Sequence, residues 1–196
     1  KGNRDTEGVG TMEKISIDRN AFLYPMPVVL VGTKSSGQVN FLTVAWVSRV
    51  NYTPPLIAAA LGKTHFSSAG IKECGEFSVC IPGKDLLEKV DCCGLVSGKR
   101  ADKSGLFDIF YGELGCAPMI SGCPLCMECR LLETVDLPTN NLFIGEILSA
   151  WTEERHLTDG KPDIRKMEPL TLTMPDNRYW SVGETIGRAW HDGKGL

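Results

Sequence analysis

Runs of basic charge, membrane-length apolar stretches and phosphate-cradling glycine loops are all missing from this chain of 196 residues. No Lys/Arg run exceeds two residues and the net charge is -3. Duplex nucleic acid and anionic membrane surfaces are therefore poor partners. The longest apolar stretches, "PLIAAAL" and "VVLV", are strand-sized, far below the ~20 residues of a membrane-spanning helix. Histidine is scarce and scattered, at His65, His156 and His191, which leaves little to build a zinc site. Neither Gly-x-Ser-x-Gly nor His-Glu-x-x-His occurs, so the common hydrolase constellations are excluded. Gly62-Lys63-Thr64 imitates the end of a P-loop, but Ile57 stands where its first glycine is required. "GLVSGK" at 94–99 has one residue too few between its glycines, and no Gly-x-Gly-x-x-Gly exists.

What is present reads as one globular domain with a real core: 42% of residues are hydrophobic and 23% charged. The first eleven residues, "KGNRDTEGVGT", are polar and lack the apolar centre of a signal peptide. They are read as an appended or disordered stretch before a natural start at Met12, with 12–196 as a single domain. Eight cysteines without a secretory signal point to a reducing, cytoplasmic compartment and free thiols. Cys123, Cys126 and Cys129 have the C-x2-C-x2-C spacing of iron–sulfur ligation. In a strand, however, Cys126 would face away from both neighbours. Leu132 and Glu133 also stand where a fourth ligand would be. Buried structural thiols are the better reading, and no metal is expected.

The pattern along the chain is mostly β. "MPVVLVGT", the turn "KSSGQ" and "VNFLTVAWVSRV" predict a hairpin whose second strand stops at Pro54-Pro55. "LIAAAL" and "EFSVCIP" are further strands, and "CPLCMECRLLETVDL" and "NNLFIGEILSAWTEE" are two long ones. Ser67 is expected to cap a short helix that Gly75 closes. "KDLLEKVDCCG" has helical spacing, with Asp85 as its expected cap. "GLVSGKRADKSGLF" reads as a ligand-facing loop, "RHLTDGKPDIRKMEP" as a connector and "NRYWSVGE" as a last short strand. Antiparallel strands with few helices predict a mainly β fold, a small barrel with helical additions.

The stretch from Phe41 to Ile71 departs from core-filling economy. Thr43 and Ser48 interrupt apolar strands, Trp46 sits between them, and Lys63, His65, Ser67 and Ser68 crowd a helix start. Hydroxyls at a helix N-terminus beside a lysine suit an anion. Together, "NFLTVAWVSRVNYTPPLIAAALGKTHFSSAGI", "GEFSVCIP", "SGKRADKSG", "CRLLETVDL", "LFIGEI" and "NRYWSVGETIG" resemble the flavin reductase-like, FMN-binding split-barrel family, in its flavoredoxin branch. The resemblance implies a six-stranded antiparallel split barrel that forms a homodimer with FMN at the subunit boundary. By matching position it places Asn40, Thr43, Val44, Ala45 and Trp46 along the ring and ribityl side, with Ser48 nearby. It places Ser67 at the phosphate, assisted by Ser68 and Lys63, and brings Lys103 and Tyr179 (or neighbouring Trp180) to the cofactor. Relatives carry Asp-His where this chain has Asn140-Asn141; Asn141 could hydrogen-bond there but not transfer a proton. Two activities follow: a reductase passing electrons from NAD(P)H through FMN to a flavin, ferric or other acceptor, or an FMN electron carrier serving a redox protein partner. A split barrel holding another planar ligand, haem or pyridoxal phosphate, is the third reading.

Overall fold

The computed structural model describes residues 13–195; the appended stretch expected at 1–11, and Met12, lie outside them. Seven antiparallel strands form the main sheet. In chain order they are β1 (Val29–Ser35), β2 (Gln38–Val44), β3 (Val47–Asn51), β4 (Leu56–Gly62), β5 (Glu76–Ile81), β6 (Leu125–Asp136) and β7 (Asn140–Trp151). Their spatial order is β2-β1-β5-β6-β7-β4-β3. Helix α1 (Phe66–Cys74) joins β4 to β5, and α2 (Leu87–Leu95) follows β5.

The hairpin of β1 and β2 turns at Ser36 and Gly37, whose φ values are 49° and 81°. Two successive positive φ angles match the right-handed twist of the flanking strands. Nothing lies within 4 Å of a Cβ added to Gly37, so Gly37→Ala would meet only backbone strain. It is expected to cost about 1 kcal/mol, read as a lower urea midpoint with unchanged slope.

The segment expected to be one strand from Val39 to Val50 is two. Its first half pairs with β1 as far as Val29↔Val44. Its second half pairs with β4 from Val47↔Ala59, and Ala60 N–H donates to Trp46 O at 2.9 Å. Ala45 and Trp46 lie between the two ladders, where the chain changes partner. This break accounts for seven strands where the resemblance implies six. The sheet is rolled: Leu42 and Val44 of β2, at one edge, and Ala60 and Leu61 of β4, next to the other, line one small cavity, and Val44 and Ile57 face a buried interior with Val31, Phe77, Cys129 and Phe143. A flat sheet of this order could not bring them together. Ile71 of α1 joins that interior. On the outer face Leu30, Phe41 and Cys80 pack against Val90 and Cys93 of α2.

Three local expectations change. The residue before α1 is His65, not Ser67, and no side chain caps the helix. A single 3-10 turn at Lys84–Leu86 precedes α2, so Asp85 lies in that turn and Leu86 in the capping position. Cys126 does face away from Cys129, which belongs to the interior cluster, but it shares the outer cluster with Cys123. Cys123 precedes the first residue of β6, so strand alternation does not govern it. Among the described residues no group of His, Cys, Asp or Glu is arranged to hold a metal.

The polar connector is structured. His156 is buried with Nδ1 3.1 Å from Lys166 O, and Asp163 caps the short α3 (Ile164–Met167) by accepting from Arg165 N–H at 2.9 Å. Two strands follow, β8 (Leu170–Thr173) and β9 (Arg178–Ser181), the first unanticipated; with Met26–Pro27 they form a separate three-stranded sheet. No helix among the described residues is long and apolar enough to cross a membrane.

Candidate functional site

The strand break at Ala45–Trp46 opens a groove. Ala45 and Trp46 line both a wide apolar cavity of about 810 Å³, against the segment from Arg19 to Pro27, and a narrower one of about 280 Å³. Leu42 and His65 line the narrower cavity and a third of about 210 Å³, walled by the loop from Gly94 to Gly98. Their shared wall residues set the three side by side along one channel-like groove. It runs from the outer apolar face, past Trp46 and His65, to the start of α1.

Small side chains create the width: Ala58 and Ala60 of β4 line the wide end. At the narrow end the loop approaches so closely that a Cβ on Gly98 would lie 2.4 Å from Asn40 Oδ1 and 2.7 Å from the Phe66 ring. Only glycine permits that approach. Asn40 is buried, and its Nδ2 donates to Ser67 Oγ at 2.7 Å while its Oδ1 has no partner. Ser67 is the second residue of α1 and also buried. An unpartnered acceptor, an uncapped helix start and a buried hydroxyl thus meet at one end of the channel. First-turn amides and the helix dipole favour an anion there.

Thr43, Val44, Ala45 and Trp46 all line the narrower cavity. Thr43 hydroxyl donates to Val90 O of α2, and Trp46 is half exposed. Ser48 lines the wide end and donates to Arg49 O at 3.1 Å. Ser68 faces elsewhere: its Oγ accepts from Asn141 Nδ2 at 2.8 Å, and Asn141 Oδ1 accepts from Lys72 Nζ at 3.2 Å. Asn141 is therefore fully engaged with α1, and Asn140 lines the channel. Alternation along β7 separates the two.

The cations are committed too. Lys63 pairs with Asp136 at 2.8 Å on the surface. Lys103 is buried, and its Nζ donates to Phe41 O at 2.5 Å, Val96 O at 2.9 Å and Cys93 O at 3.3 Å. Three carbonyls take its three protons, so Lys103 ties β2 to the loop after α2. Burial lowers its pKa. Tyr179 hydroxyl donates to Asp91 Oδ1 at 3.0 Å; burial and that carboxylate push its pKa up to about 12. Tyr179 packs on the outer core, and its cross-strand partner Leu172 is the residue that reaches the channel.

His65 belongs to the opening cluster but not to the cofactor residues matched by position, yet it lines two of the three cavities. Burial lowers its pKa and the charge of Lys103 lowers it further. At neutral pH it offers one donor and one acceptor nitrogen. Its position beside the hydroxyl cluster is the signal that could have found it.

A flavin reductase-like domain profile matches residues 21–179. Flavoredoxin from Methanosarcina acetivorans superposes with a TM-score of 0.91 and 53% identity, over 93% of this chain and 98% of that one. Flavoredoxin of Desulfovibrio vulgaris (Miyazaki F) gives 0.86 and 29%, over 93% and 100%. A protein of Archaeoglobus fulgidus with no assigned function is 34% identical over 145 residues, 73% of this chain and 81% of that protein. The chain belongs to the flavin reductase-like family, in its flavoredoxin branch.

Proposed function

We propose that the channel holds FMN and that the protein is a flavin-dependent electron-transfer oxidoreductase of the cytoplasm. The observation that carries this is the buried, unpartnered Oδ1 of Asn40 beside the uncapped start of α1. A ligand hydroxyl would satisfy that acceptor, and a phosphate would satisfy the helix amides. FMN, when bound, supplies the redox chemistry; the protein binds, orients and shields it. Ala45 and Trp46, lying between two ladders, present backbone groups to the polar edge of a planar ring, while Trp46 and the alanines of β4 exclude water from its faces. Ser67 hydroxyl, accepting from Asn40, keeps its own proton for a phosphate oxygen. Lys103 lines the same end of the channel as Asn40 and Ser67, and its ammonium, close enough to act on His65, adds positive charge there. Ser48 lines the wide end of the channel, and Lys63, Ser68 and Tyr179 frame the site at greater remove.

Similarity to two flavoredoxins favours the carrier role, with a redox protein as partner. The second route, reduction by NAD(P)H and delivery to a small acceptor, is favoured by the wide apolar cavity next to the ring position. Leu23, Trp46 and Val50 line that cavity and are exposed, an apolar surface that a second subunit of a homodimer would cover.

The visible spectrum of the purified protein tests the reading. Flavin absorbance, or its appearance on adding FMN to stripped protein, is expected; failure of both overturns it. Rapid anaerobic bleaching by NADH or NADPH selects the reductase, and bleaching only by a reduced redox protein selects the carrier. Asn40→Ala is expected to weaken FMN binding about 5–30-fold, equivalent to ~1–2 kcal/mol, read by quenching of FMN fluorescence. Unchanged affinity would remove the polar end of the cofactor from this pocket.

A further inference from the structure

Away from the channel, three cysteines from two distant parts of the chain converge. Cys80 and Cys126 are direct cross-strand partners in the β5–β6 ladder. Cys123, just before β6, lies beside Cys126 on the wall of one cavity. The three share the outer core cluster, and Cys126 Sγ also lies 3.4 Å from Ile120 O. Cys129, by contrast, sits in the interior cluster among aliphatic and aromatic side chains, as a cysteine acting as a small hydrophobe would. The trio is not sealed. Cys123 and Cys126 form one wall of a cavity of about 440 Å³, completed by Phe110, Trp151, Ser121 and Glu153. None of those residues lines the channel proposed for the cofactor.

A pocket of that size, with aromatic and hydroxyl walls and vicinal thiols at its base, suits a small sulfur compound. Cross-strand and C-x2-C positions also bring sulfurs to separations a disulfide bond can close. We propose that Cys80, Cys123 and Cys126 form a thiol–disulfide exchange site that reduces low-molecular-weight disulfides entering this cavity. Cys123, the most exposed of the three, attacks as its thiolate after passing its proton to Cys80, because Cys123 and Cys126 hold the Cys80 pKa down against burial while the Cys126 and Cys80 neighbours hold that of Cys123 up. The R–S–S–R bond breaks, a Cys123–S–S–R bond forms, and the departing RS⁻ takes up the proton Cys123 shed. A neighbouring thiol, Cys126 or Cys80, then attacks the Cys123 sulfur and expels the second RS⁻, which takes up the attacker's proton. Two protein thiols are oxidised to one disulfide, and one disulfide is reduced to two thiols.

The test uses the whole folded protein, incubated with bis(2-hydroxyethyl) disulfide and quenched with alkylating agent. Peptide mass spectrometry then maps each cysteine. The expected result is an internal disulfide joining Cys123 to Cys126 or Cys80, reversed by dithiothreitol, with Cys129 still reduced as the sign that the core stayed folded. Cys123→Ser should abolish the internal bond while half-exposed Cys92 still forms its mixed disulfide. Three results would overturn the proposal: no loss of thiol at the trio, a mixed disulfide that stays at Cys123, or an internal disulfide that forms equally well in Cys123→Ser. The wild-type mapping decides the matter even if the variant is unstable.

Discussion

Glu128→Ala is expected to lower stability by about 2–4 kcal/mol, a large share of the ~5–15 kcal/mol that holds a domain folded. Glu128 is fully buried in β6, yet every lone pair it presents is used. Oε1 accepts from Gly112 N–H at 2.9 Å and Leu114 N–H at 3.1 Å. Oε2 accepts from Glu113 N–H at 3.2 Å and Ser149 hydroxyl at 2.6 Å. Three consecutive amides thus wrap the carboxylate, so its removal strands donors in a loop folded around it. Gly112 and Glu113 are exposed enough for water to rescue their amides, which keeps the figure below the sum of three orphaned groups. Leu114 is buried, and its amide is not rescued.

The same site makes a pH prediction with a definite sign. Burial alone would raise the Glu128 pKa, but Ser149 and the three amides together more than offset it and hold it below the ordinary carboxylate value. The folded protein therefore binds this proton less readily than the unfolded chain. The stabilisation is fully present above the unfolded pKa of ~4.3 and is lost as pH falls through the lower folded value. Urea midpoints of wild type and Glu128→Gln should differ by a constant amount near neutrality and converge in acid. A gap that widened in acid would show that the carboxylate is folded as the neutral acid.

The strands around these sites were legible because each is locally self-sufficient. Ser36-Gly37 announces its hairpin, Gly75 with φ 70° ends α1, and the long alternating runs of β6 and β7 carry their own period. The break at Ala45–Trp46 was not, because both residues are apolar and the change of partner strand leaves no mark in the pattern. Tertiary pairing decides it. Asn140 and Asn141 could not be assigned to the channel or to α1 without knowing which face of β7 meets the helix. The thiol trio was hidden for a similar reason: Cys80 meets Cys126 only through the β5–β6 register, and spacing within 123–129 pointed to a grouping that alternation then splits. The loop from Gly94 to Gly98 was recognised as ligand-facing, but its dependence on Asn40 was not. Only the 2.4 Å approach at Gly98 links them.

Lys103→Met is expected to damage the cofactor site from beneath, weakening FMN binding at least tenfold and lowering stability by about 2–4 kcal/mol. Methionine keeps the length and apolar bulk of the stem but leaves the carbonyls of Phe41, Val96 and Cys93 without their shared donor. Those carbonyls belong to opposite walls of the channel's narrow end: Phe41 adjoins Asn40 and Leu42, and Val96 lies in the loop against them. Releasing the loop withdraws Gly98 from Asn40 and widens the end at which the phosphate is proposed. A second readout separates this positioning role from general loss of fold. Lys103 lowers the pKa of His65, after burial, so removing its charge should raise the His65 pKa in the folded variant, followed by the imidazole proton resonance in NMR. A raised His65 pKa with weakened FMN binding supports a lysine that positions the walls and sets the local potential. Reduced stability with both His65 and FMN affinity unchanged would reduce Lys103 to a core staple, and the positive charge favouring the phosphate would have to come from elsewhere in the groove.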